Sequence, residues 1–178
     1  FSMYSKHLLN SSSNLNFIVI LSFSCTYIHS ISPIIISLDN LVMFFCCLNL
    51  SSLDVSGFDT SNVESMEAMF NRCESLSSLD VSGFNTSKVT SMRAMFYDCK
   101  NLSNLDLSTF DTSQVTEMAS MFCDCHSLID LDMSNFDTSR VTDVNWMFFN
   151  CINLQSLDLS SFDFSSVTGA EDMLAACY

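Results

Sequence analysis

Residues 110–134 read FDTSQVTEMASMFCDCHSLIDLDMS, and the same pattern returns every 26 residues along the chain. Cys47, Cys73, Cys99, Cys125, Cys151 and Cys177 follow one another at that step, and so do Met43, Met69, Met95, Met121, Met147 and Met173. Leu53, Leu79, Leu105, Leu131 and Leu157 form a third series, and Phe58, Phe84, Phe110, Phe136 and Phe162 a fourth. A fixed period of this length marks a solenoid, in which each block is one supersecondary unit that buries its apolar side chains against its neighbours.

Within one block the periodicity changes. Leu105 and Leu107 alternate with Asp106, which predicts a short strand with the leucines inward and the aspartate outward. Phe110 turns in again. Asp111, Thr112 and Ser113 have short polar side chains that bond nearby backbone and favour turns or helix starts. Val115, Met118, Met121, Phe122 and Cys125 then recur at steps of three and four, a helical stripe. In the first full block Ser61 and Glu64 have the spacing of a capping box. A short strand over residues 115–118 followed by one helical turn fits the same spacing. Strands stack about 4.8 Å apart and helices about 8–10 Å apart, so a stack with helices on one side curves and puts its strands on the concave face.

The pattern Phe-Asp-Thr-Ser-x-Val-Thr-x-Met-x-x-Met-Phe-x-x-Cys-x-x-Leu-x-x-Leu-Asp-Leu-Ser resembles the repeat of the BspA-like leucine-rich-repeat surface proteins. Residues 110–134 follow it closely except at Met133, and the resemblance extends over residues 41–177. It implies an α/β fold: a leucine-rich-repeat-like solenoid with short parallel strands on one face and short helices or turns on the other. It also implies an extracellular or cell-surface location, secreted or lipid-anchored, and adhesion to proteins or cells. No catalytic residue is carried over, because the repeat contains none. The chain departs from the pattern at Val144 and Ala170 (for Met), Phe164 (for Thr) and Leu174 (for Phe).

Two regions are expected: an irregular N-terminal segment over residues 1–40 and a solenoid of about five repeats over residues 41–178. Residues 16–24 (NFIVILSFS) are too short to span a bilayer and have the length of a signal-peptide core, or else belong to a degenerate cap. Ile34, Ile35 and Ile36 after Pro33 suit an edge strand. No transmembrane helix is evident. The first residue is Phe1 and the last lies one past Cys177, so a fragment truncated at its C-terminus is expected.

A net charge of −14 with only six basic residues repels a phosphate backbone and excludes nucleic acid as a partner. The in-register cysteines would point the same way from coils about 4.8 Å apart, whereas a disulfide needs Cβ atoms about 3.8 Å apart and facing. They are therefore read as buried thiols. His7, His29 and His126 have no nucleophile or acid partner at a catalytic spacing. Cys123, Asp124, Cys125 and His126 look like zinc ligands, but Cys125 belongs to the inward column and four ligands cannot converge. No catalytic residue, cofactor or metal ligand is assigned. Asn10, Asn49, Asn85 and Asn101 begin glycosylation triplets.

Two candidate sites remain. Asp54, Asp80, Asp106, Asp132 and Asp158 form an outward, concave acidic file beside Ser56, Ser82, Ser108, Ser134 and Ser160. Like charges so close should raise some proton affinities or attract a weak divalent cation. A solvated face that discourages edge pairing explains the file as well. A second file, Asp59, Asn85, Asp111, Asp137 and Asp163, is ascribed to turns. The other site is where the repeat varies. Ala68, Ala94, Ser120, Trp146 and Asp172 share one position; Asn71, Tyr97, Cys123, Phe149 and Ala175 share another; Glu74, Lys100, His126 and Ile152 share a third. Trp146, Phe149 and Ile152, with Tyr97 on the same strip, form a candidate patch for a protein or cell-surface ligand. A structural spacer is the competing expectation.

Overall fold

The computed structural model describes residues 43–177. The signal-like run at residues 16–24 and the edge strand around Ile35 lie outside them. Five coils follow one another over residues 49–74, 75–100, 101–126, 127–152 and 153–177, preceded by the last stretch of another at residues 43–48.

Successive coils lie side by side in register. A parallel ladder links Ser65 to Ser91, Ser91 to Glu117, Glu117 to Asp143 and Asp143 to Gly169, always one repeat apart. From there the backbone amides alternate in direction. The amides of Met66, Ala68, Phe70 and Arg72 donate to the carbonyls of Ser91, Arg93, Met95 and Tyr97 in the next coil, at 2.7–2.9 Å. The amides between them, of Met69, Asn71 and Cys73, donate three residues back to Met66, Ala68 and Phe70. Each amide of the segment thus has a partner, either in its own turn or in the neighbouring coil.

This arrangement corrects the helical stripe. The described residues contain no helix, and residues 118–125 form successive tight turns. The reason is spacing. On this side of the coils the backbone hydrogen bonds run from coil to coil and hold neighbouring coils near the strand distance of about 4.8 Å, roughly half of what stacked helices need. The chain bends where the torsion φ turns positive, at Ala68 (54°) and Arg72 (61°), and at the same two places in each later coil. None of these residues is glycine, although the left-handed region disfavours a Cβ.

The capping box is corrected too. Asp59 Oδ1 accepts the Ser61 amide at 3.0 Å, and Val63 donates to the Thr60 carbonyl, so an Asx turn does the work assigned to Ser61 and Glu64. On the leucine side, the expected strand is reduced to isolated bridges, Ser78 with Asn104 and Asp130 with Ser156. The alternation itself is present: Leu105 and Leu107 are buried and Asp106 is exposed.

Inside, equivalent side chains lie over one another. Phe44, Phe70, Phe96, Phe122 and Phe148 are fully buried, with neighbouring ring centroids 5.5–5.7 Å apart and planes within 9°. From Cys73 onward each column thiol donates to the carbonyl of that phenylalanine in the preceding coil: Cys99 to Phe70 at 3.2 Å, Cys125 to Phe96 at 3.2 Å, Cys151 to Phe122 at 3.1 Å. Buried Thr60, Thr86, Thr112 and Thr138 tie each coil to the next. Each hydroxyl donates to one carbonyl and accepts that same residue's amide, as between Thr86 and Asp111 at 2.9 and 2.8 Å. The series stops at Phe164, which is exposed.

Candidate functional site

The variable positions fall on the turn-rich side of the coils, and the column of Ala68, Ala94, Ser120, Trp146 and Asp172 has positive φ throughout. Trp146 is 37% exposed and Ile152 40% exposed, while Phe149 and Tyr97 are half-buried. Trp146 and Phe149 belong to one tight turn: the Phe149 amide donates to the Trp146 carbonyl at 3.1 Å. Its neighbour in the stack is also tied down, since the Trp146 amide donates to the Glu171 carbonyl at 2.8 Å. Asn145 Oδ1 accepts the Glu171 amide at 2.6 Å. Gly169 leaves room for that side chain, because a Cβ there would stand 2.7 Å from Asn145 Nδ2. The backbone beneath the indole is therefore held from both sides.

Tyr97 shares a column with Phe149 but is two coils away. Buried Cys123 lies between them, so Tyr97 stands about 10 Å along the strip from Phe149. Burial raises the Tyr97 hydroxyl's proton affinity, and Cys123, Asp124 and Asp98 add to it. The left-handed φ of Trp146, 54°, is shared by Ala68, Ala94, Ser120 and Asp172. Its strain belongs to the repeat and is no special mark of a site.

One column of the strip escaped the sequence reading: Arg72, Asp98, Asp124, Asn150 and Ala176. With Glu74 and Lys100 it forms an ion-pair network. Lys100 Nζ lies 2.9 Å from Glu74 and 3.3 Å from Asp98, and Arg72 Nε lies 3.5 Å from Asp98. The hydrogen bond from Lys100 to Glu74 holds its ammonium protonated above the usual range. One coil further, Asn150 Nδ2 donates to Asp124 Oδ1 at 2.7 Å and lies 3.1 Å from His126 Nε2. Opposite charges one repeat apart in the same column, Arg72 with Asp98 and Glu74 with Lys100, are the signal that marks this network.

Cys123 and Cys125 do not converge. The Cys123 thiol meets Asp124 Oδ2 at 3.5 Å, and burial together with that carboxylate raises its proton affinity. Cys125 faces inward to the Phe96 carbonyl. Among the described residues no three His, Cys, Asp or Glu side chains gather to hold a metal ion.

The acidic file stands in line on the surface, but its electrostatics differ from expectation. Asp54, Asp80, Asp106, Asp132 and Asp158 all have lowered proton affinities. The main cause is the serine two residues on: Asp80 Oδ1 accepts the Ser82 amide at 3.0 Å and its hydroxyl at 2.6 Å. Asp106 and Asp54 push Asp80 the other way and lose. Each carboxylate is thus occupied by its own turn. A shallow recess of about 250 Å³ lies beside the file, between Asp130, Asp132, Ser156 and Asp158 over Leu131 and Met133. In the second file Asn85 Oδ1 accepts the Ser87 amide as the aspartates accept theirs, so the turn is kept where the file is interrupted.

Residues 38–129 and 101–178 match the family described as "Mycoplasma protein of unknown function, DUF285", and the chain belongs to that family. No curated protein and no solved structure gives a significant match. Among the described residues no helix is long and apolar enough to cross a membrane.

Proposed function

We propose that this member of the DUF285 family is a leucine-rich-repeat-like solenoid of the BspA-like kind and serves as a non-catalytic binding or adhesion module, secreted or at the cell surface. The observation that carries the reading is the contrast between columns. The inward Phe, Met, Cys and Val positions are monotonous, whereas the outward strip changes from coil to coil and culminates in exposed Trp146 and Ile152 with Phe149 between them. A large aromatic side chain exposed on a rigid backbone is a favoured interface anchor, because little conformational entropy is lost when it is covered.

The repeat motif supports the BspA-like resemblance, and that resemblance supports the surface location. The test is capture of partners from extracellular or cell-surface extracts by the intact chain and by a Trp146→Ser/Phe149→Ser variant of unchanged circular dichroism. The reading expects a captured protein that the variant loses. Equal capture by both rejects the patch. The alternative is a structural spacer, favoured by the uniform outward Asp and Ser columns. A spacer captures nothing specific, and its removal changes only the distance between flanking parts. Weak binding of a divalent cation along the Asp file is a lesser alternative that calorimetry with calcium decides.

A further inference from the structure

Charge is distributed unevenly along the variable strip. In the first two coils its cations are neutralised: Arg72 and Lys100 share Asp98 and Glu74, and Arg93 lies 3.9 Å from both Glu67 and Asp143. Residues 127–178 contain eight Asp or Glu and one basic residue, Arg140. Arg140 does not offset the patch, since its Nη1 donates to Gln114 Oε1 at 2.7 Å in another column. Most of the eight carboxylates are occupied, the outward ones by their own serines, Asp130 by the Ser156 hydroxyl and Asp143 by the Asn145 amide and Arg93. Two are not. The side chains of Glu171 and Asp172 are exposed and make no ion pair or hydrogen bond among the described residues.

Those two lie beside the indole. Asp172 holds the position of Trp146 one coil on, with nearly the same φ (50° against 54°), so the two side chains leave neighbouring coils alike, about one strand spacing apart. Glu171 is fixed there by its backbone, which accepts the Trp146 amide and donates to Asn145. An exposed aromatic face thus borders two unneutralised carboxylates on a chain of net charge −14.

We propose that the Trp146 patch binds a basic, partly apolar segment of a protein partner, with an arginine laid on the indole. The inference rests on the reading of this patch as the binding face. A planar guanidinium stacks on an indole and still directs its N–H groups sideways to carboxylates, so Trp146, Asp172 and Glu171 can engage one side chain together. Phe149 and Ile152 take the apolar neighbours of that arginine. A free metal ion satisfies the carboxylates but leaves the aromatic surface uncovered, and a purely apolar segment leaves the carboxylates unmatched.

Trp146 is the only tryptophan, so indole emission reports on the patch alone. The full chain is titrated with the peptide acetyl-Leu-Arg-Leu-Arg-Leu-amide, with its citrulline counterpart (same shape, no charge) and with its glutamate counterpart. The inference expects saturable change with the arginine peptide, an affinity about tenfold lower for the citrulline peptide and for the Glu171→Gln/Asp172→Asn variant, and weakening at high salt. Equal affinity for the citrulline and arginine peptides, an unchanged double variant, or no response to any peptide overturns it. If the citrulline peptide binds as well as the arginine one and Phe149→Ser abolishes both, the patch stands as a binding face and only the basic partner falls.

Discussion

Thr112 and Asp137 are joined twice across adjacent coils: the buried Thr112 hydroxyl donates to the Asp137 carbonyl at 3.0 Å and accepts the Asp137 amide at 2.8 Å. One hydroxyl thereby satisfies a backbone donor and acceptor that have no bond within their own coil. Thr112→Val keeps the shape and removes both bonds. It should lower unfolding free energy by about 1–3 kcal/mol in urea titration, while Thr112→Ser, which keeps the hydroxyl, should lose less. A valine variant as stable as the parent would show that the threonine column is only packing.

The thiol column predicts slow chemistry and a pH limit. Burial pushes Cys99 and Cys151 from the ordinary 9.0 up to about 12, and Cys125 is raised well above the ordinary value for the same reason. In the native chain these thiols should resist an alkylating reagent at pH 8 that reacts with the half-buried Cys46, and unfolding should release them. The unfolded chain loses these protons first as pH rises, so stability is full below about 9 and falls between about 9 and 12. Mass spectrometry of alkylated fragments and urea midpoints across that range check both parts. Rapid native labelling of Cys125 would contradict them.

Acid acts through the opposite sign. The serine-bound aspartates have lowered proton affinities in the folded chain, so their contribution is present above the ordinary carboxylate value of 3.8 and is lost as pH falls below it. Ser108→Ala removes the hydroxyl and should raise the Asp106 value while leaving Asp54 unchanged, as read by carboxyl-carbon NMR titration. An unshifted Asp106 would mean that the backbone amide of residue 108 alone sets it.

The positive φ positions predict an unusual gain. Ala94 has φ 52°, where a Cβ is crowded and a glycine is not. Ala94→Gly should be neutral or stabilising by up to about 1 kcal/mol, and Ala94→Val destabilising by more than that. In a helix, the same glycine would cost about 1 kcal/mol, so thermal unfolding of this pair separates the two backbones.

These positions also explain what could and could not be read from the sequence. The inward columns were legible, since a repeat of Cys, Met, Phe and Leu at one step admits only in-register burial. The path of the chain between them was not. Val115, Met118, Met121, Phe122 and Cys125 have one spacing whether they line a helix or a series of tight turns. The bends fall on Ala68, Arg72, Ala94 and Trp146, which do not signal a turn, as well as on Asp98, Asp124 and Asn150, which do, so no one residue type marks the two positions. Local turn chemistry accounted for Thr112 well enough to hide its bonds to the next coil. The Trp146 patch was visible as variation, whereas the Arg72, Asp98 and Lys100 network requires charges one repeat apart in a column to be compared.

Blocks 26 residues apart lie directly on one another through the interior. The aromatic stack tests it most directly, because its rings come into contact only if the register is right. In a sample labelled at phenylalanine, ring-to-ring nuclear Overhauser effects should link Phe70 to Phe96, Phe96 to Phe122 and Phe122 to Phe148, whose centroids lie 5.5–5.7 Å apart. Cross-peaks following that chain are the predicted result. Rings that see no partner one repeat away would contradict the stacked architecture and every inference built on its columns.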